Sequence, residues 1–169
     1  MTKFRPRGLN HVAYVTRDTA ATKRFYTEVL GMRLVSYARD ESVGSTGDPT
    51  SFLHTFFAMS DGACVAFFEI EGVDKDHHES HLPKWAPHLA LSVGSRAELE
   101  SMRKQLLDAG VEVKDVVEHE GIWSSIYFFD PNGVRLELTY QNRPLTDEDA
   151  DVAEKAVNEW LAEHAAATQ

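Results

Sequence analysis

Two histidines and two glutamates occupy matching places in two pairs of short apolar segments. His11 lies in Leu9-Asn10-His11-Val12-Ala13-Tyr14-Val15 and His88 in Pro87-His88-Leu89-Ala90-Leu91-Ser92-Val93, while Glu69 lies in Cys64–Ile70 and Glu137 in the run 134–140. Read as strands, these segments sort into two faces by alternation. His11 then falls with Ala13 and Val15, and His88 with Ala90 and Ser92. Glu69 falls with Val65 and Phe67, and Glu137 with Arg135 and Thr139. A carboxylate in a buried strand is costly alone, but two carboxylates and two imidazoles compensate one another by sharing a divalent cation. Singly, each residue reads as an ordinary core histidine or exposed glutamate. Their matched placement points instead to a metal. Nitrogen and oxygen donors suit Fe(II), Mn(II), Ni(II) or Zn(II), and two His with one carboxylate and open positions is the usual non-haem iron arrangement. Cys64 is the single cysteine, which leaves no internal disulfide and no Cys-based site, and it reads as a small core residue.

The elements that must position these residues follow a repeated order. The 9–15 strand precedes a helix over 19–30, capped by Asp18 or Thr19 and stopped by Gly31. Strands at 32–37, 51–59 and 64–70 complete β-α-β-β-β. The order recurs with a strand at 87–93, a helix at 96–109 stopped by Gly110, and strands at 111–117, 124–129 and 134–140. The duplication sets His11 against His88, Gly31 against Gly110, and Phe68-Glu69-Ile70 against Leu136-Glu137-Leu138. The expected fold is α+β: a first module over 8–71, a second over 87–141, and an amphipathic C-terminal helix over 145–168. That helix aligns Ala153, Val157, Trp160, Leu161 and His164 on one face, a stripe that needs the sheets or another subunit to cover it. The His-rich stretch with His77, His78 and His81 reads as a solvated connection.

Composition excludes several functions. With 17 Lys and Arg against 27 Asp and Glu, the net charge of −10 argues against binding a phosphate backbone, so no nucleic-acid partner is expected. No run approaches the ~20 apolar residues of a membrane span, and the basic start Lys3-Phe4-Arg5-Pro6-Arg7 has no apolar stretch after it. No membrane partner is expected, and the expected location is the cytoplasm.

Four stretches carry a resemblance: Leu9-Asn10-His11-Val12, Arg24-Phe25-Tyr26-Thr27-Glu28-Val29-Leu30-Gly31-Met32, His88-Leu89-Ala90-Leu91-Ser92-Val93, and Ile126-Tyr127-Phe128-Phe129-Asp130-Pro131-Asn132-Gly133-Val134-Arg135-Leu136-Glu137-Leu138. From about residue 8 to 141 the chain resembles the vicinal oxygen chelate superfamily of glyoxalase I, extradiol dioxygenases, fosfomycin-resistance and bleomycin-resistance proteins. The resemblance implies two βαβββ modules whose sheets curl around a metal-centred cavity, and a homodimer. By position, His11, His88 and Glu137 match the three ligands of extradiol dioxygenases, and Glu69 the extra carboxylate ligand of glyoxalase I. Tyr127 matches the active-site tyrosine of catechol-cleaving enzymes, and His119 lies one residue short of their acid–base histidine. The catalytic candidates are thus Tyr127, His119 and Glu69.

Three functions lead, and fosfomycin-type thiol transfer is a further possibility that no residue here distinguishes. An Fe(II) ring-cleaving dioxygenase is preferred; a glyoxalase-like isomerase or lyase uses the metal as a Lewis acid, and a bleomycin-resistance-like protein only binds its ligand. Phe52, His54, Phe56, Phe67 and Trp123 are the expected pocket lining, for an aromatic or apolar small molecule with vicinal oxygens.

Overall fold

The computed structural model describes residues 8–72 and 86–164; the connection with His77, His78 and His81 lies outside them. Strand β1 (His11–Val15) leads into helix α1 (Thr19–Arg24), capped by Asp18, whose Oδ1 accepts the Ala21 N–H at 2.9 Å. A π-helical turn (Phe25–Val29) extends α1 until Gly31, at φ +69°, ends it in a left-handed conformation. Strands β2 (Arg33–Asp40), β3 (Phe52–Ala58) and β4 (Cys64–Ile70) follow. They form a sheet ordered β1-β4-β3-β2, in which β1 and β4 run parallel.

The second module repeats this plan. Strand β5 (Leu89–Ser92), helix α2 (Arg96–Asp108), β6 (Val117–His119), β7 (Trp123–Phe129) and β8 (Arg135–Gln141) give the sheet β5-β8-β7-β6, with β5 and β8 parallel. Ser95 caps α2 by accepting the Glu98 N–H, while Glu98 Oε2 accepts the Gly94 N–H. Gly110, at φ +78°, ends α2 as Gly31 ends the first helix. The strand expected at 111–117 is a correction: only Val117–His119 pairs with β7. Val111, Val113 and Val116 instead pack as irregular chain against the core, so their hydrophobicity reflects burial and not strand pairing.

One apolar core runs through both modules, from Tyr26, Phe57, Val65 and Phe67 to Leu99, Leu106, Ile126, Phe128 and Leu136. Phe67 is therefore a core residue, not pocket lining. The modules are tied together by a polar knot around the 130–134 turn. Asp130 Oδ1 accepts the N–H groups of Asn132 and Val134, both at 2.8 Å, and Oδ2 accepts from the Tyr26 hydroxyl at 3.2 Å. Thr16 O–H donates to Asn132 Oδ1, and Asn132 Nδ2 donates to Thr22 Oγ1. Burial pushes the Asp130 carboxyl up, and its hydrogen bonds pull it down.

The helices cover one face of each sheet and leave the other open. His11, Ala13 and Val15 are exposed along β1, as are Ala90 and Ser92 along β5. Helix α3 (Asp147–His164) begins at a bidentate Arg143–Asp149 pair with both contacts at 2.7 Å. Val152 and Val157 on it are exposed; Trp160, Leu161 and His164 lie outside the residues whose side chains are described. No helix of the described residues is long and apolar enough to cross a membrane.

Glu69 lies on the helix-covered face. Alternation along β4 sets it on the side of Val65 and Phe67, which are fully buried, and its Oε2 accepts the Thr19 N–H at 2.9 Å. It supports the start of α1. Replacing Glu69 with Ala should cost about 1 kcal/mol, a melting shift of about 3 °C, from the lost bond at a helix N-terminus. Glu120, at φ +52° in the β6–β7 turn beside Gly121, is the one non-glycine residue of positive φ among those described. Glu120→Gly should raise stability by about 1 kcal/mol by relieving this strain, measured by denaturant unfolding.

Candidate functional site

The open face of the second sheet gathers most of the candidate chemistry. Strand β8 turns Glu137 to this face, across the ladder from Tyr127 on β7 and alongside Ala90 on β5. His88 immediately precedes β5 and shares the face. Its Nε2 stands 3.0 Å from Glu137 Oε2, and its Nδ1–H donates to the Ala86 carbonyl at 2.9 Å, an acceptor that determines which nitrogen carries this proton. Glu137 is 7% exposed, so its carboxylate needs a positive partner there.

Tyr127 joins this pair to His119. The Tyr127 hydroxyl lies 2.8 Å from His119 Nε2, and the His88 ring meets the Tyr127 ring edge-on at 6.0 Å. The β6–β7 hairpin brings His119 opposite Trp123, on the Tyr127 face. Burial first, and then the Glu137 charge, raise the Tyr127 phenol above its ordinary range, so it is a protonated donor at neutral pH. Arg135 Cζ lies 4.2 Å from the centre of the Tyr127 ring. The pair borders a cavity of about 900 Å³ lined by His88, His119, Tyr127 and Arg135. A smaller one of about 370 Å³ lies among His119, Glu120, Trp123, Tyr127 and Glu137. The one-residue spacing difference did not keep His119 from Tyr127, because the hairpin turn absorbs it.

His11 belongs to another cluster. It sits on the open face of the first sheet, with its Nδ1 2.7 Å from Asn10 Oδ1 and its ring 5.4 Å from Phe56 and 6.2 Å from His54. His54 is 8% exposed, stacked on Phe68 at 3.5 Å, and its Nε2 is buried without a hydrogen-bond partner. Burial and the neighbouring His11 hold its imidazole below the ordinary range. Phe52 pairs across the ladder with Ile70 on this same face, whereas Trp123 belongs to the second sheet.

The strand registers correct the expected repeat. His11 pairs with Cys64 and Ala13 with Ala66, while Leu89 pairs with Leu136 and Ala90 with Glu137. The place equivalent to Glu137 is thus Ala66, and Phe56, opposite Ala66, is equivalent to Tyr127. Glu69 is three residues further along and on the other face, so it cannot join His11 or carry a proton in the open cavity. Among the described residues, no three His, Cys, Asp or Glu side chains converge on one point able to hold a metal ion. Within one copy, the structure brings together His88, Glu137, Tyr127 and His119, and leaves His11 apart.

The His88–Glu137 pair nevertheless fits a divalent cation. Its imidazole nitrogen and carboxylate oxygen are donors that suit such an ion. The second ring nitrogen of His88 is bonded to a carbonyl, as metal-bound histidines usually are. Arg135 and Lys114 line the larger cavity and had no role at the level of sequence, although alternation already set Arg135 on the Glu137 face.

The chain matches the family model described as Glyoxalase/Bleomycin resistance protein/Dioxygenase superfamily over residues 8–138. It is 29% identical over 133 residues to metallothiol transferase FosB of Bacillus licheniformis, covering 78% of this chain and 73% of that protein. Among solved structures it resembles the glyoxylase/bleomycin resistance protein/dioxygenase domain from Frankia sp. EAN1pec, with a TM-score of 0.63 and 24% identity over 81% of this chain and 99% of that one. It also resembles the fosfomycin resistance protein FosX from Listeria monocytogenes, with a TM-score of 0.59 and 19% identity over 86% of this chain and 99% of that one. The two βαβββ modules and the 131 matched residues from 8 to 138 place the chain in the Glyoxalase/Bleomycin resistance protein/Dioxygenase superfamily.

Proposed function

We propose that this protein is a divalent-metal-dependent enzyme acting on a small substrate through two adjacent oxygens. The contact of His88 Nε2 with Glu137 Oε2, on the face that carries Tyr127 and His119, is the observation that supports it. His88 and Glu137 would hold the metal. His11 is the third donor, and it comes from a second copy of the chain. Both modules leave their strand faces open, and Val15, Val117 and Phe129 remain 40–47% exposed there. Apposing the first module of one copy with the second module of another, about a two-fold axis, makes two equal sites and covers this surface.

When bound, the metal supplies Lewis-acid polarisation of a substrate oxygen; Fe(II), Mn(II), Ni(II) and Zn(II) all suit these donors. The relative named a metallothiol transferase favours group transfer. A thiol sulfur gives its electron pair to a carbon, the C–O bond at that carbon breaks, and its electrons go to oxygen. Tyr127 donates its proton to that oxygen, His119 restores the phenol, and the thiol proton passes to solvent. A second reading, ring cleavage with Fe(II) and O₂, is favoured by the hydrogen bond between Tyr127 and His119. In it the same two residues would move the substrate's hydroxyl proton.

Fosfomycin with a panel of small thiols tests the first reading by thioether formation, and oxygen uptake with a catechol panel tests the second. Inertness in both, with no metal after purification, would leave only a ligand-binding protein. Glu137→Gln should weaken metal affinity by more than about 100-fold, whereas Glu69→Gln should leave it unchanged. Tyr127→Phe should retain the metal and lower turnover by about 100-fold, the usual cost of one lost donor to a developing oxyanion. Mixing inactive His11→Ala and His88→Ala proteins should restore activity, because a mixed dimer holds one intact site. No restoration despite subunit exchange would refute the shared site.

A further inference from the structure

Behind His119, on the side of the second sheet that α2 covers, four polar side chains meet. Arg96, at the start of α2, donates from Nη1 to Glu118 Oε1 at 2.5 Å and to Ser124 Oγ at 2.9 Å. Ser124 is fully buried; its hydroxyl donates to Glu118 Oε2 at 2.7 Å and accepts from Asn142 Nδ2 at 3.0 Å. The Asn142 N–H donates to the Ile122 carbonyl at 2.7 Å, and the Ile122 N–H to the His119 carbonyl at 2.9 Å. Hydrogen bonds from Ser124 and Arg96 hold the Glu118 carboxyl below its ordinary range, which keeps it an ionised acceptor for the arginine.

Strand β6 needs such support. It is three residues long, lies at the edge of its sheet and pairs with β7 alone among the described strands, so few ladder bonds hold it. The turn after it carries Glu120 at φ +52° and Gly121 at φ +70°, and a non-glycine residue keeps such a conformation only where its surroundings enforce it. Side chains alternate across the strand, so Glu118 turns to Arg96 while His119 turns to Tyr127. Fixing Glu118 therefore fixes His119, since a slip of one residue would carry His119 to the covered side.

We infer that Arg96, Glu118, Ser124 and Asn142 are positioning residues, a clamp that holds β6 in the register setting His119 Nε2 against the Tyr127 hydroxyl. None of the four touches the reacting groups; they act through His119 from the opposite side of the sheet. The role of this clamp in turnover rests on the reading above that Tyr127 and His119 move a proton. Its role in placing His119 does not.

Long-range proton–nitrogen NMR of the histidine rings tests this, on the full chain with and without Zn(II). The His119 signals are assigned by their loss in His119→Gln, and Tyr127→Phe supplies the position of the ring without its phenol partner. Glu118→Gln and Arg96→Gln should each move the His119 Nε2 signal toward the Tyr127→Phe position. Arg96→Lys should stay nearer the natural protein. Lys104→Gln, which removes an ion pair elsewhere on α2, should leave the signal in place. With a substrate that turns over, Glu118→Gln should lower kcat about tenfold at constant KM, a smaller loss than that of the Tyr127 hydroxyl itself. A His119 Nε2 signal unmoved in folded Glu118→Gln and Arg96→Gln proteins would overturn the clamp, whatever Tyr127 does in catalysis. A moved signal together with full turnover by Tyr127→Phe would keep the clamp and remove the proton path.

Discussion

A carboxylate buried within a sheet must find compensating partners, and Glu137 sets that requirement for the second module. Only 7% exposed, it draws His88 Nε2 to 3.0 Å, and the Ala86 carbonyl orients the imidazole from behind. Tyr127 is brought against the same carboxylate by the β7–β8 ladder, and burial with that negative charge keeps its proton on. His119 then completes a line of exchangeable protons ending at the cavity. Each member depends on the one before it.

The duplication is structural rather than chemical. In the first module the equivalent of Glu137 is Ala66 and the equivalent of Tyr127 is Phe56. His11 keeps its aromatic neighbour at 5.4 Å, much as His88 keeps Tyr127 at 6.0 Å, but the carboxylate and the hydroxyl are gone. One module therefore offers a histidine among aromatic rings, and the other a histidine, a carboxylate and a proton-donating pair. Combined as proposed, the unlike halves of two copies would supply two His and one carboxylate with positions left for substrate.

The polar knot at Asp130 and Asn132 explains why the halves of one copy do not close on each other. It joins α1 and the residue after β1 to the 130–134 turn, on the side where the helices and the shared core lie. Buried, mutually satisfied polar groups hold a defined arrangement because each lost bond exposes an unpaired partner. The modules thus pack back to back through their helical sides, and the two strand faces look outward. Exposed side chains such as Val15 and Phe129 follow from that choice.

Much of this was legible in the residues themselves. Apolar alternation, helix-ending glycines and the Asp130-Pro131-Asn132-Gly133 turn mark two βαβββ modules, because strand period, capping and turn chemistry are local properties. Alternation also assigns Glu137, Arg135 and Thr139 to one face. Local pattern misled where partners decide. The valines of 111–117 look like a strand but are buried as irregular chain, and Phe67 looks like pocket lining but fills the core. Glu69 looks like the twin of Glu137, yet the β1–β4 register turns it toward the helix, where it bonds Thr19. The sequence by itself determined which residue types each strand carries and on which alternate side. Only the tertiary structure decided which strands pair in which register and which face the helices cover, because these are set by contacts between residues distant in the chain.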